Sequence, residues 1–88
     1  MELENIRKRI DKIDKQILEI LSKRFALVEK INLIKKKKKV PVFDPSREQK
    51  LYQKIAKNSL DLGLSKDFTK KLFNLILEES KRLQANGK

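Results

Sequence analysis

The chain has 88 residues, of which 39% are apolar and 40% charged, with a formal net charge of +11. This length supports one domain with a modest core and favours a core shared with a second copy. Cysteine and histidine are absent. That excludes a disulfide framework, a zinc site of the usual type and nucleophilic catalysis by Cys–His or Ser–His–Asp groups. No apolar run approaches the ~20 residues that span a membrane, and residues Met1–Asn5 do not form a signal peptide, so a cytoplasmic location is expected.

The positive charge has a structural and a functional interpretation. A solvated, lysine-rich surface explains it without any ligand. The functional interpretations are a nucleic acid or a small polyanion as partner. The only aromatic residues are four phenylalanines and one tyrosine, which resemble core residues more than platforms for stacked bases. Nucleic acid is therefore the weaker of the two functional interpretations.

A heptad pattern predicts one long first helix, from about residue 2 to about residue 37. No glycine or proline interrupts it before Pro41. Counting in sevens from Leu3 and from Ile6 gives ten positions, nine aliphatic and one arginine. Such a helix is about 54 Å long, too long for two short helices to cover, which again favours a dimer. The ten positions, called the seam below, are Leu3, Ile6, Ile10, Ile13, Ile17, Ile20, Arg24, Leu27, Ile31 and Ile34.

The second helix is predicted over about residues 45–60, after an extended connector at 40–43. Asp44 is a good N-cap, and proline, here Pro45, is favoured at the first helical position. Gly63 is a suitable residue for the C-terminal cap. The expected buried stripe consists of Leu51, Tyr52, Ile55 and Ala56.

The third helix is predicted over about residues 65–85. Ser65 is expected to cap it, with Asp67 in its first turn. Residues 1–88 are thus predicted to form a single all-α domain with one long and two shorter helices. The wide apolar face of the third helix consists of Phe68, Leu72, Phe73, Leu75, Ile76 and Leu77.

Arg24 occupies a seam position where the pattern is otherwise aliphatic. A buried guanidinium without a partner costs several kcal/mol, so it requires one. Either an internal Glu or Asp pairs with it and sets the helix register, or it binds a carboxylate or phosphate ligand. Lys35 follows eleven residues later and faces nearly the same way, so both side chains can reach toward one small ligand.

Arg7 is a further candidate, but it precedes Arg24 by seventeen residues, or roughly 25 Å of helix. It cannot reach the same ligand within one straight helix. It can do so if the first helices of two subunits run antiparallel. A surface arginine beside Glu4 or Asp11 is the alternative interpretation.

Four polar residues on the shorter helices complete the candidate set. Arg47 and Glu48 fall in the first turn of helix two, where charged residues are also ordinary. Ser80 and Gln84 extend the apolar stripe of helix three, so they either face a cavity or mark the helix emerging into solvent. Together with the cations of helix one, this set lacks an obvious nucleophile or metal ligand. It suits reactions that need charge stabilisation and substrate positioning.

These residues resemble those of the all-helical chorismate mutases along nearly the whole chain. Each match alone is weak, but the ordered set spread over three helices is specific. The matching stretches are Arg7 with Ile10 and Asp14, Leu21–Arg24, Lys35, Pro41–Glu48, Leu72–Phe73, Ile76–Ser80 and Gln84.

The resemblance implies an intertwined homodimer with a long antiparallel pair of first helices and two equivalent active sites. It implies an isomerase that converts chorismate to prephenate, a Claisen rearrangement on the route to phenylalanine and tyrosine. It implies no cofactor, metal, acid, base or covalent intermediate. Because that substrate is a dianion, a cationic site is expected for it.

The resemblance also implies roles for single residues. Arg24, and Arg7 of the other subunit, are expected to hold the two substrate carboxylates. Ser80 is expected to touch a carboxylate, and Arg47 to support the site electrostatically. By this resemblance all four residues bind the substrate, and Arg24 is also expected to be catalytic.

Three further roles concern the ring and the ether oxygen of the substrate. Lys35 and Gln84 are expected to donate to the ether oxygen, where negative charge grows as the bond breaks. Glu48 is expected to accept from the ring hydroxyl, with the backbone near Asp44 helping. Some members carry a glutamate in place of Gln84, which must be protonated to donate, so Gln84 is expected to avoid an acid-pH requirement.

Two rivals stay open on the sequence alone. Isochorismate-pyruvate lyase shares the fold and much of the cationic site. A basic helical module that binds nucleic acid is the more distant alternative, supported by the net charge and by the run Lys35–Lys39. The lysine run itself either steers a dianion or is simply solvated, and as a last helical turn it suits the negative end of the helix dipole.

Overall fold

The computed structural model describes residues 2–38 and 44–86, with no side-chain description beyond residue 84. Three helices account for nearly all of them: α1 is Leu3–Lys38, α2 is Pro45–Asp61 and α3 is Lys66–Asn86. The expected all-helical architecture is confirmed. The predicted connector at 40–43 lies outside the described residues, as does Lys39. No helix in the described ranges is long and apolar enough to cross a membrane.

Local capping explains where α2 and α3 begin and where α2 ends. The Asp44 carboxylate accepts from the backbone N–H of Arg47 at 3.1 Å, and the Ser65 hydroxyl accepts from that of Phe68 at 3.2 Å. Gly63 has φ = 71°, a left-handed conformation that glycine adopts without a steric penalty. This lets the N–H of Leu64 reach back 2.8 Å to the carbonyl of Ser59 and close the end of α2.

Helix α3 packs against both α1 and α2. Between α2 and α3, the buried hydroxyls of Ser59 and Thr69 lie 2.7 Å apart, and Tyr52 donates from its hydroxyl to Asn74. The predicted stripe of α2 is half-buried in this contact. On α1 the packing face repeats every three or four residues and consists of Leu21, Arg24, Phe25, Val28, Asn32 and Lys35.

The apolar core of the single chain is thin. Among the described residues, Val28 and Ile76 are the buried apolar side chains. The predicted apolar face of α3 is only partly covered, because Phe68, Leu72 and Leu75 are exposed. Within one chain, α1 and α2 together leave these three positions uncovered.

The aliphatic seam residues of α1 are exposed as well, at between 38% and 64% of their surface. The described chain measures 55 × 26 × 15 Å and has a radius of gyration of 16.3 Å. A compact domain of this length has about 12 Å. The fold is therefore elongated and presents its longest apolar stripe to the outside.

Candidate active site

A cleft of about 160 Å³ lies where the C-terminal half of α1 meets α2 and α3. It contains seven of the eight predicted site residues and one further cation, Lys81. Aliphatic side chains form the rest of its wall, so the polar groups face a partly apolar space. The lining residues are Arg24, Val28, Ile31, Lys35, Asp44, Arg47, Glu48, Leu51, Leu77, Ser80, Lys81 and Gln84.

Arg24 is held by α3 at the base of this cleft. Its Nη1 donates to the hydroxyl of Ser80 at 3.0 Å, and its guanidinium carbon lies 6.0 Å from the centroid of the Phe73 ring. Ser80 is 6% exposed and donates its own proton to the carbonyl of Ile76 at 2.9 Å. One hydroxyl and one ring thus fix the arginine in place and leave its remaining N–H groups for another acceptor.

The guanidinium of Arg24 is partly buried and lies near a second cation, Arg47. Burial, and secondly the charge of Arg47, lower the pKa of Arg24. An arginine keeps its proton at physiological pH, so both effects disfavour the site as it stands and favour an added anion. Within the described ranges no carboxylate forms an ion pair with Arg24. The alternative of an internal Glu or Asp partner is therefore not supported.

The start of α2 places three more predicted residues on the same cleft. With Asp44 as N-cap, Arg47 and Glu48 fall in the first turn. The N–H of Glu48 donates to the carbonyl of Asp44 at 3.1 Å, which brings both residues to the cleft wall. The N-terminal end of α2 adds a positive dipole end, which also favours an anion here.

Lys35 and Gln84 reach the cleft from α1 and α3, and both are partly covered. They are separated by 49 residues in sequence, so only the packing of α3 on α1 brings them together. A cation and an amide N–H₂ are both donors. The cleft therefore offers donors from two opposite helices to one bound molecule.

Lys81 is a lining residue that the sequence prediction missed. Its Nζ lies 2.9 Å from Oε1 of Glu48, so a salt bridge joins α3 to α2 at the cleft. The signal was available in the spacing, because Leu77, Lys81 and Gln84 follow one another by four and three residues and share a face of α3. The partner on α2 could not be read from that spacing.

Arg7 is the predicted site residue that does not line the cleft. It lies in the exposed N-terminal part of α1, about 25 Å along the helix from Arg24. It forms no ion pair with Glu4, Asp11 or any other residue of the described ranges. Within one chain Arg7 and Arg24 therefore remain apart, as the spacing predicted.

A second, larger cleft of about 680 Å³ lies between α2 and α3 and shares no lining residue with the first. It is lined by Tyr52, Ile55 and Ala56 and bordered by the exposed Lys66, Asp67 and Lys70. Its rim combines two exposed lysines with one carboxylate, and it contains no partly buried cation. The smaller cleft is therefore the candidate active site.

The sequence profile of the family described as chorismate mutase type II matches residues 6–85. The chain belongs to this family. A chorismate mutase of Methanocaldococcus jannaschii is 34% identical over 82 residues, which cover 93% of this chain and 83% of that protein. A 4-amino-4-deoxychorismate mutase of Streptomyces venezuelae is 28% identical over 83 residues, 94% of this chain and 81% of that protein. No solved structure matches the chain significantly.

Some relatives are longer proteins with a second activity. The bifunctional chorismate mutase/prephenate dehydratase of Aquifex aeolicus is 43% identical over 54 residues, 61% of this chain but only 15% of that protein. Family membership makes this chain an isomerase and supports chorismate mutase activity in aromatic amino acid biosynthesis. The resemblance seen in the sequence is confirmed, and neither the lyase nor the nucleic-acid alternative is favoured.

Proposed function

We propose that the cleft is the active site at which this chain, as one chorismate mutase domain over residues 1–88, converts chorismate to prephenate. The observation that carries the proposal is Arg24, a partly buried cation beside Arg47 with no carboxylate partner in the described chain. It lies in a cleft whose other polar groups are three cations, a hydroxyl, an amide and the two carboxylates Asp44 and Glu48, in a member of a chorismate mutase family. A small dianion would balance the excess positive charge of this cleft.

One substrate carboxylate is assigned to Arg24, with Arg47 adding positive potential nearby. The bidentate geometry of a guanidinium suits a carboxylate and fixes its orientation. Ser80 has a supporting role, because its hydroxyl accepts from Arg24 and donates to Ile76. Direct donation from Ser80 to a substrate carboxylate requires its hydroxyl to rotate away from Ile76.

The chemical step is assigned to Lys35 and Gln84. In the rearrangement one C–O bond breaks and one C–C bond forms within the same molecule, and negative charge grows on the ether oxygen. Donors already aimed at that oxygen stabilise the transition state more than the bound substrate, by on the order of 3–4 kcal/mol for one well-placed donor. Proton transfer and a cofactor are not part of this mechanism.

The ring of the substrate is assigned to Glu48 and to the backbone at Asp44. A carboxylate accepts only, so it suits the hydroxyl of the substrate ring. Asp44 itself is committed to capping α2, which holds Glu48 in place. Gln84 donates without titrating, so the mutase rate is predicted to need no acid pH.

The second carboxylate is assigned to Arg7 of a second subunit. The exposed seam, the thin core and the 55 Å length support a homodimer with the first helices packed antiparallel. A cleft of 160 Å³ is also smaller than the roughly 300–1,000 Å³ of most small-molecule sites, as expected if a second chain supplies part of the wall.

The cytoplasmic location expected from the sequence stays a prediction, to be checked by cell fractionation.

The test is an assay of the purified chain with chorismate and, separately, with isochorismate. We expect chorismate to disappear and prephenate to accumulate without any added cofactor. Pyruvate from isochorismate without prephenate from chorismate would instead assign the lyase reaction. If the folded dimer is inactive on both substrates, the proposed function is wrong.

A further inference from the structure

Lys81 is a charged residue of the cleft that none of the roles above uses. Its ammonium lies 2.9 Å from Oε1 of Glu48, and the two side chains are 50% and 23% exposed. It projects from the same face of α3 as Leu77 and Gln84, both of which line the cleft. The salt bridge is therefore part of the cleft wall.

The pairing changes what Glu48 offers to a ligand. A carboxylate has two oxygens, and Lys81 contacts one of them, Oε1. The other oxygen, Oε2, remains able to accept a hydrogen bond from the substrate. The ammonium also favours this orientation of the carboxylate and offsets part of its negative charge. The pair thus presents an acceptor with less net negative charge than a lone carboxylate.

An acceptor of this kind treats two ring substituents differently. A hydroxyl is neutral and needs only the lone pairs of Oε2. An amine is protonated at neutral pH, and its ammonium would gain less from a carboxylate that is already paired with Lys81. Two ammonium groups on the same carboxylate would also repel each other, because both lie within a few ångströms of it.

We infer that Lys81 is a positioning and specificity-determining residue, which holds Glu48 as an acceptor for a neutral ring hydroxyl and disfavours a substrate with an ammonium there. The inference rests on the proposed function and deepens it. Lys81 acts through Glu48 and takes no part in the bond changes. The substrate class it selects is a cyclic dicarboxylate with a hydroxyl, rather than an amino, substituent facing Glu48.

The experiment compares kcat and KM for chorismate and for 4-amino-4-deoxychorismate in the full-length chain. Where the amino compound is not turned over, its inhibition constant against chorismate replaces the KM. Lys81→Met removes the charge and keeps most of the side-chain length, while Lys81→Arg keeps the charge. Arg82→Met is the matched control, because it removes one cation from the adjacent position of α3, outside the cleft.

We expect the wild type to prefer the hydroxyl substrate and Lys81→Met to reduce that preference about tenfold. Lys81→Arg should restore the preference, and Arg82→Met should leave it within about twofold of the wild type. A merely structural role would lower both activities in parallel, without changing their ratio. An unchanged ratio in a folded Lys81→Met variant overturns the inference.

Two further results keep the inference separate from protein stability and from the proposed function. If Lys81→Met does not fold, as judged by circular dichroism, Lys81→Gln replaces it and the same ratio decides. If the wild type converts chorismate but Lys81→Met has the same preference between the two compounds, only the inferred role of Lys81 is wrong. If the folded wild type is inactive on both compounds, the proposed function is wrong, and this inference is wrong with it.

Discussion

The two halves of α1 carry the same aliphatic repeat but have different surroundings. In the N-terminal half, Leu3–Ile20, every side chain is exposed. In the C-terminal half, Leu21–Lys38, a face that includes Arg24 and Val28 is covered. That face is not the seam, because Leu27, Ile31 and Ile34 remain exposed beside it.

The comparison shows that α1 has two apolar faces with separate uses. One packs within the chain and builds the cleft, and the other is available to a second copy along the whole helix. Arg24 belongs to both patterns, since it occupies a seam position and yet contacts Ser80 of α3. The residue that interrupts the seam thus connects the proposed dimer contact to the proposed active site.

The largest effect is expected from a charge placed in the exposed half. In Ile13→Asp, a carboxylate would have to be buried in the proposed dimer contact, which costs several kcal/mol. We expect a loss of the dimer in sedimentation equilibrium and a loss of activity. The control is Gln16→Asp, which adds the same charge at a position outside the seam. Equal association of both variants and the wild type would contradict a dimer contact along the seam.

Next in size is the loss of a cleft cation. Arg24→Ala and Lys35→Ala are each expected to reduce turnover by about 100-fold or more, because each removes a charge held close to the substrate. Both variants should stay folded and associate as the wild type does, as judged by circular dichroism and sedimentation. Arg82→Ala removes a cation outside the cleft and should keep its turnover. Near-normal turnover of either cleft variant would contradict the assignment.

Mixing two inactive variants tests whether the exposed half of α1 in one chain completes the site beside the covered half of α1 in another chain. In a heterodimer of Arg7→Ala and Lys35→Ala subunits, one of the two sites has both residues intact. Random exchange should therefore recover about a quarter of the wild-type activity. Subunit exchange is verified by mass spectrometry. Exchange without recovery would argue that Arg7 does not act across subunits.

The smallest effect is expected on the outer surface of α3. Arg82 contacts Glu79 through two 2.6 Å hydrogen bonds, and this hydrogen bonding lowers the pKa of Glu79. A lowered folded-state pKa contributes stability above the ordinary carboxyl pKa, and this is lost as the pH falls through the folded-state value. Arg82→Met should thus lower the Tm only slightly at neutral pH and not at all in acid. A large, pH-independent change would contradict this.

Local features of the fold were predictable from residue order. Asp44 and Ser65 cap the starts of two helices, and Gly63 lies at the end of one. The residues they contact are a few positions away in the chain, so residue order is enough to predict these contacts. The salt bridge of Lys81 with Glu48 could not be predicted, because it joins residues 33 positions apart on different helices. The exposure of Phe68, Leu72 and Leu75 could not be predicted either, since an apolar pattern does not say which chain covers it.

Three helices, their caps, the seam and the set of cations and polar groups can be derived from residue order alone. These follow from helical periodicity and from short-range hydrogen bonds, which act between neighbours along the chain. The packing of α3 on the face of Arg24 and Val28, and the contact of Arg24 with a hydroxyl rather than a carboxylate, became known from the folded chain. The reason is geometric: which side chains meet across two helices depends on how the helices cross and rotate, and no single helix contains that information.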